Sequence, residues 1–433
     1  MDWKIVWGSV LVGSLFLAFS SLYLVASAEP STKWTRTFDG GGDDEAYSVE
    51  VCDDGYIFVG ITNSSSFGEY DAWLIKTDSY GEVQWNRTYG GLFNDRARSV
   101  VTTIDGGYAF TGSTNSYGAG NADVWLVRVD HNGDMLWNKT YGGPLDDHSW
   151  SLVLTSDGGY ALLCFTTSYG AGSSDVWLIK VNSSGNNEWN QTYGGNDFES
   201  VSTIIRTSEG GYALACTTTS FGAGSSDFWL VKLDSYGNVE WNQTYGGSGV
   251  EFANSLVETS DGGYALAGST SALVAGNADV WLVKVDSLGN LEWNQTYGGP
   301  KADYCDSMVI SCDGGYTLAC ITQTPMPLGS AHFVEGDGDF WLAKVDSLGN
   351  MLWNQTYGVS ASHSVTSLLA ADGSYIFGGS TRDNAGYRDF WLAKIGESHI
   401  GQEVVIYILI PIFVVVVFII VLIYRRNKNS QNS

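Results

Sequence analysis

Positive charge is what this 433-residue chain has least of: Lys and Arg total 21 against 47 Asp and Glu, a formal net charge of −26. Only 16% of residues are charged at all, so the acidity comes more from scarce cations than from abundant carboxylates. Such a surface repels phosphates, which excludes nucleic acid as a partner. Ala, Glu, Lys and Leu are too thin for a helical bundle, while 54 Gly and 17 Trp are too many. A 14% aromatic content excludes a disordered polyanion. Catalytic signatures are missing as well. The five His (His131, His148, His332, His363, His399) show no metal-ligand spacing. There is no Gly-x-Ser-x-Gly elbow. Gly118-Ala-Gly120 and its repeats lie between strands rather than ahead of a helix, so they are turns and not phosphate cradles. The expectation is a protein that is not an enzyme and carries no organic cofactor.

Two long apolar runs are present. Residues 5–28 follow Lys4 and end in Ala26-Ser27-Ala28, which reads as a secretory signal over 1–28; an uncleaved anchor is the alternative. Residues 404–424 are 21 uncharged residues, long enough to cross a hydrocarbon core of about 30 Å as a helix. Arg425, Arg426 and Lys428 follow at once, which places the tail 425–433 in the cytoplasm and all that precedes the span outside. The expected location is the cell membrane, single-pass, with an extracellular N-terminal domain and a juxtamembrane linker at 396–403.

Between these runs one motif is repeated seven times. A hairpin Tyr recurs at Tyr56, Tyr108, Tyr160, Tyr212, Tyr264, Tyr316 and Tyr375. A Trp in Asp-x-Trp-Leu recurs at Trp73, Trp125, Trp177, Trp229, Trp281, Trp341 and Trp391. A second Trp opens Trp-Asn-x-Thr-Tyr-Gly-Gly at Trp85, Trp137, Trp189, Trp241, Trp293 and Trp353, with Trp34 as a variant. The period is 52 residues over most of the chain. Each unit reads as four short strands, for example Ser99–Ile104, Tyr108–Thr114, Val124–Asp130 and Met135–Tyr141, joined by Asp-Gly-rich turns. Four strands per repeat of about 50 residues predicts a β-propeller, with a stacked solenoid as the alternative. The chain ends favour the ring. The seventh set lacks its fourth strand, and residues 34–38 are a spare one at the other end. The expectation is an all-β, seven-bladed propeller over 34–395, closed by its N-terminal strand.

The stretch Val285-Asp-Ser-Leu-Gly-Asn-Leu-Glu-Trp293 resembles the tryptophan-docking motif of quinoprotein propellers, one residue shorter between Asp and Gly. The longer pattern, from Asp-Gly-Gly-Tyr to Tyr-Gly-Gly, is similar to long-period propeller repeats in secreted and cell-surface proteins of archaea and bacteria. The resemblance implies the fold and blade-to-blade packing by the Trp. It implies no activity, because one fold hosts many.

With the strands named A to D from the axis outward, the A–B and C–D turns share one face and the D–A and B–C connections the other. The C-to-D Trp spacing is 12 residues in all six measurable repeats, so the turn face is uniform. The loop face varies, and binding usually lives in loops that vary over a fixed scaffold. Its D–A connections offer Asp43, Asp44, Asp95, Asp146, Asp147, His148, Asp197, Glu199, Glu251 and Asp303 as ligand-binding candidates. A B–C loop eight residues longer than the standard adds His332, Phe333 and Glu335. Calcium, a hard cation that takes several oxygens, is the one metal these residues suggest, with Asp337 and Asp339 as candidates; solvated acidity is the alternative. The Asp opening each C strand (Asp71 to Asp389) recurs once per blade, which points to structure. Sequons occur at Asn63, Asn86, Asn138, Asn182, Asn190, Asn242, Asn294 and Asn354; glycosylation and strand packing explain them equally. The functional expectation is a membrane-tethered receptor or adhesion module for an extracellular protein or glycan, its loop face outward and its turn face toward the lipid. A structural envelope component and an extracellular enzyme are the alternatives.

Overall fold

The repeat forms its four strands because its turns leave the backbone little choice. In the C–D turn of the second unit, Asp130 Oδ1 accepts hydrogen bonds from the amides of Asn132 and Asp134 at 2.8 and 2.9 Å, and Gly133 takes φ +82°. That left-handed conformation costs Gly nothing. The A–B turn is closed by Thr103 and Gly107, with Gly106 at φ +81°. The strand residues between these turns are buried on both faces in B and C and mostly exposed in D.

The computed structural model describes residues 30–64, 68–272, 278–323, 338–357, 363–371, 373–382 and 386–396. The expected signal segment, linker, membrane span and tail lie outside these, as do His332, Phe333, Glu335 and Asp337. Among the described residues no helix is long and apolar enough to cross a membrane. All described elements are strands, β1 (Ser31–Phe38) to β28 (Arg388–Gly396), in seven antiparallel four-stranded sheets. Blade 1 is β2 (Asp44–Cys52), β3 (Gly55–Thr62), β4 (Asp71–Asp78) and β5 (Val83–Tyr89), and blades 2 to 6 repeat this order. Blade 7 is β26 (His363–Ala371), β27 (Ser374–Arg382) and β28, with β1 as its outer strand. The ring is therefore closed by the N-terminal strand. The chain enters and leaves the propeller on the turn face, where β1 starts and β28 ends.

Blades are joined by the aromatic anchors. Each D-strand Trp packs on the hairpin Tyr of the next blade: Trp85 on Tyr108, Trp137 on Tyr160, Trp189 on Tyr212, Trp241 on Tyr264 and Trp293 on Tyr316, with ring centroids 5.9–6.3 Å apart. At the seam Trp34 meets Tyr56 at 6.0 Å in the same way. The same indoles cover the C–D glycine of the neighbouring blade; a Cβ on Gly133 would lie 2.8 Å from Trp85 Cζ3. In blades 1 to 5 the Tyr ending the D strand donates to that glycine's carbonyl, as Tyr89 to Gly133 and Tyr141 to Gly185, both at 2.6 Å.

Strand A differs from the sequence expectation. In blade 2 it runs Asp95–Thr102, starting four residues before the expected Ser99. A β-bulge between Ala97 and Ser99 breaks the alternation, and the strand opens on a buried carboxylate. Both features disguise a strand as a polar loop.

Candidate functional site

The first residues of strand A settle the place of six candidates. Asp44, Asp95, Asp147, Glu199, Glu251 and Asp303 are not loop residues; all are buried. Asp147 accepts from Gly143 N and Ser168 Oγ, each at 2.7 Å, and from Thr166 Oγ1. Glu199 and Glu251 accept from Thr218 and Thr270 at 2.9 Å and from Gly195 and Gly247 amides at 3.1 and 3.0 Å. These carboxylates hold the D–A connection to strand B and are closed to a ligand arriving from solvent. Asp197 is exposed, and Asp43, Asp146 and His148 are half-buried, so these four keep a surface.

The C-strand Asp has the structural role expected of a once-per-blade residue. Asp123 Oδ2 accepts from Ala119 and Gly120 amides at 2.9 Å, and Asp227 from Ala223 and Gly224 at 3.1 Å. Asp339 opens β24 (Gly338–Val345) in the equivalent register, paired with Thr322. At the seam, Asp39 stands where blade 1 has Gly90, and its carboxylate oxygens lie within 4.8 Å of those of Asp44 and Asp389. Burial, with Asp39 nearby, raises the pKa of Asp44.

Six cations on strand C are equally structural, which the sequence reading missed. Lys76, Arg128, Lys180, Lys232, Lys284 and Lys344 are buried on strand C and pair with an A–B turn carboxylate, as Lys180 with Asp157 at 2.9 Å. The repeated sequon Asn also has a partner: Oδ1 of Asn190 and Asn242 accepts from Trp177 and Trp229 Nε1 at 3.1 Å. The packing explanation of that Asn thus has a hydrogen bond behind it.

What does not repeat lies at the axis. Every A strand carries one bulge, at Tyr47, Arg98, Trp150, Ser202, Asn254, Asp306 and Thr366 in blade order. All seven line one cavity of 510 Å³ in the central channel. The next residue is nearly invariant: Ser48, Ser99, Ser151, Thr203, Ser255, Ser307 and Ser367. Its hydroxyl has a scaffold task. Oγ of Ser151, Ser255 and Ser307 accepts the amides of Ile204, Met308 and Leu368 in the following blade, at 3.1–3.4 Å. A ring of hydroxyls thus satisfies N–H groups near the bulges, while the bulged residue lines the channel and differs in every blade, although Ser202, Asn254 and Thr366 also donate to the Ala253, Cys305 and Ala46 carbonyls of the next A strand.

The bulge ring is chemically lopsided. Arg98 lies between the Tyr47 and Trp150 rings, its guanidinium carbon 3.9 and 4.3 Å from their centroids. Tyr47 donates to Glu45, which pairs with Arg388. His148 stacks on Phe165 at 4.8 Å, and burial, followed by the nearby charges of Arg96 and Arg98, keeps its imidazole below its ordinary pKa against the opposing pull of Asp146. Ser202, Asn254, Asp306 and Thr366 complete the ring. One signal pointed here: Trp150 is the sole Trp after residue 33 that is not a repeat anchor.

A second cavity of 780 Å³ opens between blades 1 and 2 on the turn face, lined by Lys76, Trp85, Tyr108 and His131 among others. Three of those four are repeat positions, so this cavity is largely made of scaffold.

No family model matches the chain. A regulatory protein of Caulobacter vibrioides, FlaEY, is 28% identical over 163 residues, which span 32% of this chain and 17% of that protein. Among solved structures, a polysaccharide lyase of the PL25 ulvan lyase family aligns with TM-score 0.54 and 10% identity, over 84% of this chain and 96% of the lyase. The polysaccharide lyase Uly1 aligns with TM-score 0.52 and 10% identity, over 86% and 95% of the two chains. At this identity the likeness is one of fold: the chain is a seven-bladed β-propeller of four-stranded blades.

Proposed function

We propose that this propeller is a non-enzymatic binding module, held outside the cell membrane by the 404–424 segment, that takes its ligand in the central channel. The observation that carries the reading is the contrast between adjacent positions on strand A. Seven hydroxyl residues are uniform, and the seven bulged residues beside them are all different. A fixed scaffold carrying a ring of unlike residues is how a fold is adapted to a ligand. The D–A connections lead directly to this wall. Asp43, Asp146, His148 and Asp197 therefore stand at the loop-face entrance, and the variable loops contribute as its rim. The uncharged 21-residue run and the Arg425-Arg426 flank support the tether, with the turn face, where both chain ends emerge, toward the lipid. The exposed outer-strand sequons are compatible with glycosylation of the propeller's rim.

Ser202→Trp tests the site. An indole at that bulge fills the channel and leaves the aromatic anchors in place, at the loss of one hydrogen bond from Ser202 to Ala253 O. The full chain and this variant are compared for binding to the cell's own extracellular glycan and protein fractions. Loss of binding at an unchanged melting temperature is the expected result. Unchanged binding overturns the channel, and stoichiometric self-association in its place favours an envelope component.

A polysaccharide-acting enzyme is the second reading. His148, its pKa lowered by burial and standing near Arg96 and Arg98, favours it, and both proteins of similar fold named above are described as polysaccharide lyases. New unsaturated or reducing ends on an acidic polysaccharide incubated with the chain, lost in His148→Gln, would replace binding with catalysis.

A further inference from the structure

We infer that the channel is a receptor for an anionic saccharide, one bearing a carboxylate or a sulfate. This rests on the channel being the ligand site. Arg98 is the centre of the argument. Tyr47 and Trp150 cover the two faces of its guanidinium, and no hydrogen bond or ion pair reaches it among the described residues. The two rings hold the guanidinium between them at the cavity wall. A planar edge of donors held in place and unused is the geometry that grips a carboxylate or sulfate bidentately. Arg96, two residues earlier on the same strand, also has no hydrogen bond or ion pair among the described residues, and burial lowers the imidazole pKa of His148 near it. In a chain whose strand-C cations are nearly all paired with acids, two unpaired arginines side by side form a local positive site.

The net charge of −26 does not defeat this. Screening falls off over about 8 Å at physiological ionic strength, so distant surface carboxylates are damped and contact chemistry decides. The remainder of the ring selects the rest of the ligand. Trp150 is 38% exposed, enough to stack a pyranose face. Across the channel Asn254, whose Nδ2 donates to Cys305 O, keeps its amide oxygen and a second N–H, and Ser202, whose hydroxyl donates to Ala253 O, keeps an acceptor oxygen for sugar hydroxyls. A cavity of 510 Å³ holds a disaccharide-sized group.

The full-length chain is titrated with four probes: a glucuronate disaccharide, a galactose 6-sulfate disaccharide, cellobiose and an acidic tetrapeptide. The expected result is binding of one or both charged sugars with cellobiose weaker. Arg98→Met should weaken the charged sugar by at least about tenfold, the loss of one charge-assisted pair, and bring it level with cellobiose. Arg98→Lys should recover part of that loss, which a merely destabilised variant would not. The carboxylate and sulfate probes separate the two sources of negative charge. Equal binding of charged and neutral sugars, unaffected by Arg98→Met but abolished by Ser202→Trp, overturns the anion inference and leaves the channel standing. Binding of the peptide alone overturns the saccharide. Binding of a charged sugar that Ser202→Trp does not reduce overturns the inference together with the channel.

Discussion

Gly133 and Gly106 both sit at φ near +80°, yet only Gly133 has an indole above it. That difference separates backbone strain from packing. Gly106→Ala meets nothing within 4 Å and should cost about 1–2 kcal/mol, the left-handed penalty alone. Gly133→Ala adds a clash with Trp85 and should cost about 2–5 kcal/mol. Denaturant unfolding of the two variants checks the ordering. Glu50 supplies a second residue-scale test. Its equivalents are Val101, Val153, Ile205, Val257, Val309 and Leu369, so a lone carboxyl occupies an apolar position, and burial pushes its pKa up to about 7. The folded state therefore keeps a proton that the unfolded state releases above its ordinary value of 4.5. The contribution is favourable at low pH and is lost as pH rises through about 7. Glu50→Gln should raise the melting temperature at pH 8, with the gain shrinking toward pH 5. Below that range, acids whose pKa is held down, such as Asp261 at about 2 through Thr259, Gly263 and Lys284, begin to lose their own favourable contribution. The aromatic anchors were legible in the sequence because each is large, rare and repeated. The strand-C cations were not, because a Lys in an apolar strand reads as an exposed residue until its turn carboxylate is seen beside it.

Strand A is the element whose first half the sequence concealed. Asp95-Arg96-Ala97-Arg98 has neither the alternation nor the composition of a strand. It is one because Asp95 is capped by Thr114, Ser116 and the Gly91 amide, and because the bulge puts Arg98 and Ser99 on the same side. Charge read as solvent exposure therefore sent six buried carboxylates to a loop. The closing strand β1 was legible, since an odd strand at one end and a missing one at the other have one economical solution. Its attachment repeats the other junctions: Phe38 lies 5.3 Å from Phe58, as Tyr89 does from Phe110. The seam differs in lacking one hydrogen bond, because Phe38 has no hydroxyl to reach a glycine carbonyl. Trp34 is half-buried, so Trp34→Ala should cost about 3 kcal/mol, the low end for a large aromatic. Hydrogen exchange should then quicken in β1 and β28 while β14 (Glu199–Arg206) to β17 (Val239–Tyr245) stay protected. Uniform acceleration around the ring would contradict a locally latched seam.

At the scale of the whole molecule, the repeated anchors and the proposed ligand site occupy different places. The Trp and Tyr anchors, the strand-C cations and the buried acids spend most of the chain's distinctive chemistry on holding blades together. The ring of bulges is where seven copies of one unit become seven different residues. Sequence comparison between repeats exposes the constant part and hides this one, because one varying position among others looks like drift until the strands bring all seven copies to one axis. Crystals of the protein soaked with the charged and neutral disaccharides test this division most directly. The account predicts ordered sugar inside the channel, against Arg98 and Trp150 and within reach of Asn254 or Asp306. Sugar ordered only along the outer loops, around Asp146 and Asp197, with the channel unoccupied, would contradict it.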